Sequence, residues 1–119
     1  MDQKALGIHG ERLAVNHLRD NGYDILDVNW RFGKIELDII AKKSQNFVVL
    51  EVKTRENSFL GNPWQSVTVA KQRRIIKATN RYIIENQIDL ECRFDIISIV
   101  HNQKYTNLEH LEDAFYPLV

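Results

Sequence analysis

Between Gly33 and Arg55 the chain reads GKIELDIIAKKSQNFVVLEVKTR, two β-branched, apolar runs on either side of a polar break at 42–46. The runs Ile35–Ala41 and Phe47–Lys53 about that break are a β-hairpin signal, although Ser44-Gln45 is not one of the strong two-residue turn pairs. With the turn centred on Ser44-Gln45, opposed residues sum to 89, so Asp38 faces Glu51 and Glu36 faces Lys53. Side chains alternate across a strand. Ile35, Leu37, Ile39, Val48, Leu50 and Val52 therefore form one apolar face, expected in the core. The other carries Glu36, Asp38, Ile40, Val49, Glu51 and Lys53 and is expected to stay partly open. Like charges directly opposite each other destabilise a sheet. Asp38 against Glu51 therefore calls for a hard cation between them, a raised pKa on one of them, or Lys53 as a neutralising partner.

The rest of the chain supplies a frame for that pair. Its 119 residues make a single domain, 1–119, able to bury about two-thirds of its unfolded surface. No apolar stretch reaches the roughly 18 residues of a membrane span, and the N-terminus has no apolar signal core. The lone Cys92 excludes an internal disulfide and fits a reducing compartment, so the expected location is the cytoplasm. Sixteen basic and sixteen acidic residues cancel, yet residues 51–81 hold seven basic and two acidic groups while 82–119 hold two and seven. The middle segment is the one suited to a polyanion.

Residues 4–21 show helical spacing at Leu6, Gly10, Leu13, Ala14, His17 and Leu18, closed by Gly22. Gly7 and Gly10 each cost a helix about 1 kcal/mol against Ala, which makes sense where the backbone approaches something closely. Glu11 lies at the margin of the apolar stripe, within reach of the sheet edge. His17 reads as a packed histidine, and His9, His101 and His110 lack metal-ligand spacing. Tyr23–Arg31 reads as a first strand. Gly61 and Pro63 break the chain after the hairpin, with Asn62-Pro63 able to cap a short turn. A second helix runs from an N-cap at Thr68 to about Asn86, burying Ile75, Ile76, Thr79, Tyr82 and Ile83. Arg93–Val100 is a fourth strand, and a short terminal strand is expected near His110–Tyr116. The fold class is α/β, a central mixed sheet flanked by helices in the order αβββαβ.

That order, with Asp38 in the second strand and Glu51-Val52-Lys53 in the third, resembles the restriction-endonuclease-like core of the PD-(D/E)XK nuclease superfamily. A closer resemblance runs through GIHGERLA (7–14), NWR (29–31), ELDIIA (36–41), VLEVKTR (49–55), GNPWQSVTVAK (61–71) and RFDII (93–97). These look like the bacterial YraN family, itself similar to the Holliday-junction-resolvase-like branch of that superfamily. One departure is Ile35, where the family usually has Gly before its Glu-hydrophobic-Asp motif. The resemblance implies a Mg²⁺- or Mn²⁺-dependent nuclease acting on DNA, with branched or structured DNA as a candidate substrate. It implies Asp38, Glu51, Lys53 and Glu11 as catalytic residues, with Asp38, Glu51 and the Val52 carbonyl on the metal. Arg55, Lys71, Gln72, Arg73 and Arg74 become the expected nucleic-acid contacts, and a homodimer is expected from resolvase-like relatives. The alternative is a nuclease-fold module that binds nucleic acid or protein without cutting.

Overall fold

The computed structural model describes residues 1–57 and 63–117. Gly61 and Asn62 lie outside that range, and the turn expected after them is a 3₁₀ turn at Pro63–Ser66. Helix α1 (Gln3–Asp20) is followed by strands β1 (Asp24–Phe32), β2 (Ile35–Lys43) and β3 (Asn46–Arg55). Helix α2 (Val69–Glu85), β4 (Glu91–His101) and β5 (Thr106–Phe115) complete the chain. The five strands form one sheet in sequence order, antiparallel throughout except for the parallel β3–β4 pair. The α/β class and the αβββαβ order are as expected. The terminal strand is not short: β5 spans ten residues and pairs with β4 as a full hairpin.

Caps fix both helices. Asp2 accepts the Ala5 amide at 2.7 Å, and Thr68 accepts the Lys71 amide at 3.2 Å. Gly22 leaves α1 at φ +84°, a conformation that costs a residue with a side chain strain. The α1 stripe then packs Ala14 and Leu18 on Ile39, Ala41, Val48, Leu50, Ile97 and Ile99. On the opposite face, Ile75, Ala78 and Tyr82 of α2 cover Leu37, Ile40, Phe47, Val49, Phe94 and Ile96.

Both sheet faces are therefore core, which corrects the expectation of one open face. Ile40 and Val49 lie fully buried under α2 beside the acids they were grouped with. A second correction concerns β2. Leu37 packs on the α2 side and Ile39 on the α1 side although they are two residues apart, so strand phase changes at Asp38. Asn29, the β1 residue level with Asp38 in the register, has φ 54°, a left-handed conformation that Asn tolerates better than most. Val52, expected in the core with Leu50, is only half-buried.

Candidate functional site

The hairpin register predicted from the alternation holds from Lys43↔Asn46 to Ile39↔Leu50, and there the ladder ends. Asp38 and Glu51 are level but not backbone-paired. Asp38 Oδ2 instead accepts the Val52 amide at 2.8 Å. A carboxylate has taken the amide, and beyond it β2 stays with β1 through Trp30↔Leu37, Arg31↔Glu36 and Phe32↔Ile35. The result is a fork between β2 and β3 with Asp38 at its apex. Because a strand residue sends its N–H and C=O to the same edge, the Val52 carbonyl also points into the fork.

Acids reach this fork from both faces. From α1 comes Glu11, and single oxygens of Glu11, Glu36 and Asp38 all lie within 4.8 Å of one another. Asn29 donates to Glu11 at 3.2 Å, which explains the Asn in a strand-like stretch; the NWR motif is its one signal in the sequence. Burial raises the Glu11 pKa despite that hydrogen bond, helped by the charges of Asp38 and Glu36. Glu36 was expected opposite Lys53. It pairs instead with Arg31 at 2.7 Å, its cross-strand neighbour in β1, because the β2–β3 ladder has already ended. Strand alternation puts Glu36 on the acidic face with Asp38, and the approach of Glu11 to both is added by the fold.

Glu51 comes from β3 on the α2 side and is 4% exposed. Lys71 Nζ stands 3.8 Å from its Oε2, a long ion pair, while no N–H donor among the described residues reaches the buried Oε1. Burial, then the charge of Asp38 and a hydrogen bond to it, push the Glu51 pKa up to about 9, with Lys71 pulling weakly the other way. The Asp38–Glu51 pair therefore holds one proton at neutral pH. A cleft of about 630 Å³ opens over it, lined by Lys34, Glu36, Asp38, Glu51, Lys71 and Arg74.

The other expected site residues are dispersed. Strand alternation keeps Lys53 on the Glu51 side, but among the described residues no ion pair or hydrogen bond engages it, and it does not line the cleft. Gln72 donates to the Val67 carbonyl at 3.0 Å and serves the start of α2. Arg73 is exposed outside the cleft, and Arg55 closes β3 beside Val100.

The residues present fit a hard cation. Oxygens of Glu11, Glu36 and Asp38 converge, a buried Glu51 oxygen on the other side of Asp38 has no N–H donor among the described residues, and opposite oxygens around Mg²⁺ or Ca²⁺ lie about 4–5 Å apart. The sequence pattern of the uncharacterised protein family UPF0102 matches residues 10–99. The chain belongs to that family. This agrees with the YraN-like motifs. Similar UPF0102 proteins include one from Flavobacterium psychrophilum, 49% identical with 93% of each chain covered. Others are from Christiangramia forsetii, 44% identical over 97% of each chain, and Phocaeicola vulgatus, 45% identical over 98% of this chain and 96% of its own. The UPF0102 match takes in Glu11, Glu36, Asp38 and Glu51.

Away from the fork, Asp95 is the one other fully buried acid among the described residues. It accepts from Arg93 Nε and Nη2 at 2.9 Å each, from His110 at 2.7 Å and from the Asp113 amide at 3.0 Å. His110 in turn meets His17 at 3.1 Å, so the histidine expected to be packed is hydrogen-bonded across 93 residues. Every Asp95 oxygen is satisfied, and it reads as structural.

Proposed function

We propose that this UPF0102 protein is a metal-dependent nuclease that hydrolyses DNA phosphodiester bonds, with the PD-(D/E)XK superfamily as its wider kin. One observation carries the reading: Glu51 is buried carboxyl-to-carboxyl against Asp38, with an oxygen that no N–H donor among the described residues reaches. Leaving a buried polar atom unsatisfied costs about 1–3 kcal/mol, and a protein that needed no ligand there would gain by removing the clash. Mg²⁺ or Mn²⁺, when bound, supplies charge neutralisation at the phosphate and an acidified water. Asp38, Glu51 and the Val52 carbonyl would hold it, with Glu11 and Glu36 on the α1 side. Lys71 and Arg74, at the cleft wall, are placed to offset phosphate charge. DNA as partner, the cytoplasm as location and a homodimer belong to the same proposal.

A second reading, a nuclease-fold binding module that does not cut, draws on Lys53, which touches none of the acids. Cleavage of linear, flapped and four-way DNA with Mg²⁺ or Mn²⁺, beside Glu51→Gln, separates the two. Metal-dependent cutting lost in Glu51→Gln supports the nuclease. Binding without cutting supports the module.

A further inference from the structure

The two glycines of α1 differ in what surrounds them. A Cβ on Gly10 would stand 1.8 Å from Thr54 Oγ1, so the packing of α1 on β3 requires glycine there. A Cβ on Gly7 would meet nothing within 4 Å. Among the described residues no packing contact calls for the loss of helix stability at Gly7, and the glycine borders an open hollow.

Gly7, Ile8, Glu11, Asn29, Arg31 and Glu36 border a depression that begins at the acidic group. It continues into a groove of about 380 Å³ between α1 and β1, where Ile8, Arg12, Asn16, Arg19 and Val28 take over as walls. Lys4, Ile8, Arg12, Asn16 and Arg19 are all exposed, at spacings that place them on one helical stripe. No ion pair or side-chain hydrogen bond among the described residues engages Lys4, Arg12 or Arg19. Between these free cations the floor is apolar, with Ile8 47% and Val28 39% exposed. At about 1.5 Å rise per residue the three cations are about 11 Å apart along the helix.

We propose that this groove is the track of a nucleic-acid strand. Its phosphodiester backbone lies along α1, comes closest to the helix at Gly7, and meets Arg12 and Arg19 beyond the acidic group. Binding along the track stands without catalysis; only the delivery of a phosphate to Glu11, Glu36 and Asp38 rests on the nuclease reading.

The test is fluorescence anisotropy of the full chain on a labelled 20-base-pair duplex and a 20-nucleotide single strand, in EDTA, across a salt series. Gly7→Ala should raise Tm by about 4 °C while weakening binding by about threefold or more, opposite signs that a structural glycine would not give. Arg12→Glu with Arg19→Glu should weaken binding by about tenfold or more and flatten the log K against log salt slope by about 2. Lys104→Glu, on the β4–β5 turn and outside the lining of the groove, should change little. Binding and slope unchanged in both groove variants overturn the track, as does a wild-type chain that binds neither probe. So does a groove variant that alters only self-association. Normal cleavage by groove variants with unchanged binding would leave the nuclease reading standing and remove the track. Groove-dependent binding by a chain that never cuts would do the reverse.

Discussion

Asp95 and Glu51 are buried carboxylates on adjacent strands, and their surroundings are opposite. In the β3–β4 register Asp95 is level with Leu50 and Glu51 with Ile96, so the two acids point to opposite faces of the sheet. Asp95 faces α1 and has an arginine, a histidine and an amide on it. Burial alone would raise its pKa, but hydrogen bonds from His110, Arg93 and Asp113 outweigh it and hold the pKa below the usual carboxylate range. Glu51 faces α2 with another carboxylate, a distant lysine and one oxygen unanswered, and its pKa rises to about 9. A charge the fold keeps for itself is satisfied from every side. A charge kept for a visitor is left short.

The largest expected effect comes from breaking the satisfied site. Asp95→Ala strands Arg93 and His110 in the interior and should cost about 3–5 kcal/mol in urea unfolding. A loss under 1 kcal/mol would mean that the network is ornamental and the contrast false.

Glu51→Gln should behave in the opposite way. It keeps the shape, removes the titrating group, and should leave the metal-free protein as stable or more stable by on the order of 1 kcal/mol at pH 8. Marked destabilisation would make Glu51 a structural acid like Asp95. Asp38→Asn is a less clean probe, because Asp38 Oδ2 also carries the Val52 amide.

The pH dependence of stability should separate the sites by sign. Glu51 titrates near 4.5 unfolded and near 9 folded, so the native state holds the extra proton between those values. Its contribution is fully present below about pH 4.5 and is lost as pH rises toward 9. The stability of Glu51→Gln relative to wild type should therefore grow across that window. Asp95 works the other way: its contribution is present at neutral pH and is lost as acid protonates it below the ordinary value of 3.8. His17, whose pKa is lowered first by burial and then by His110, should add a loss that begins as pH falls through 6.5. A flat Glu51 difference between pH 5 and 9 would remove the raised pKa.

The smallest effect serves as a control. Thr79 in α2 also buries an oxygen without a partner among the described residues, but it is an uncharged hydroxyl and does not line the cleft. Thr79→Val should be neutral or stabilising by up to about 1 kcal/mol and should not alter any response to metal. A metal effect at Thr79 would show that the orphan-oxygen criterion is too loose.

The sequence disclosed the hairpin register because Ile39–Lys43 and Asn46–Leu50 pair by backbone alone. It could not disclose the fork, since nothing in a period-two pattern says that Asp38 will take the Val52 amide and end the ladder. The open face was misread for a related reason. Ile40 and Val49 alternate with apolar neighbours, and a sheet covered on both sides looks locally much like a half-buried one. Helix α2 was legible from Thr68 onward because its cap and apolar spacing agree. The ten-residue β5 was shortened in the reading because Glu109, Glu112 and Asp113 dilute its apolar signal. Glu36, Asp38 and Glu51 were legible on one face from alternation and Glu11 from its place at the stripe's margin, while the partner of Glu36 is Arg31 on the neighbouring strand and not Lys53. The His17–His110 contact joins residues 93 apart, a distance over which no local pattern operates.

The claim that the fork is built to receive a hard cation has one direct test. Isothermal titration calorimetry with Mn²⁺ and Mg²⁺ at pH 7.5, repeated in buffers of different ionisation enthalpy, counts the protons released on binding. With the Glu51 pKa at about 9, the cation must displace that proton, so the wild type should release about one proton per ion. Glu51→Gln should bind far more weakly and release none. Absence of binding in the wild type, or binding that releases no proton and survives Glu51→Gln, would contradict the account.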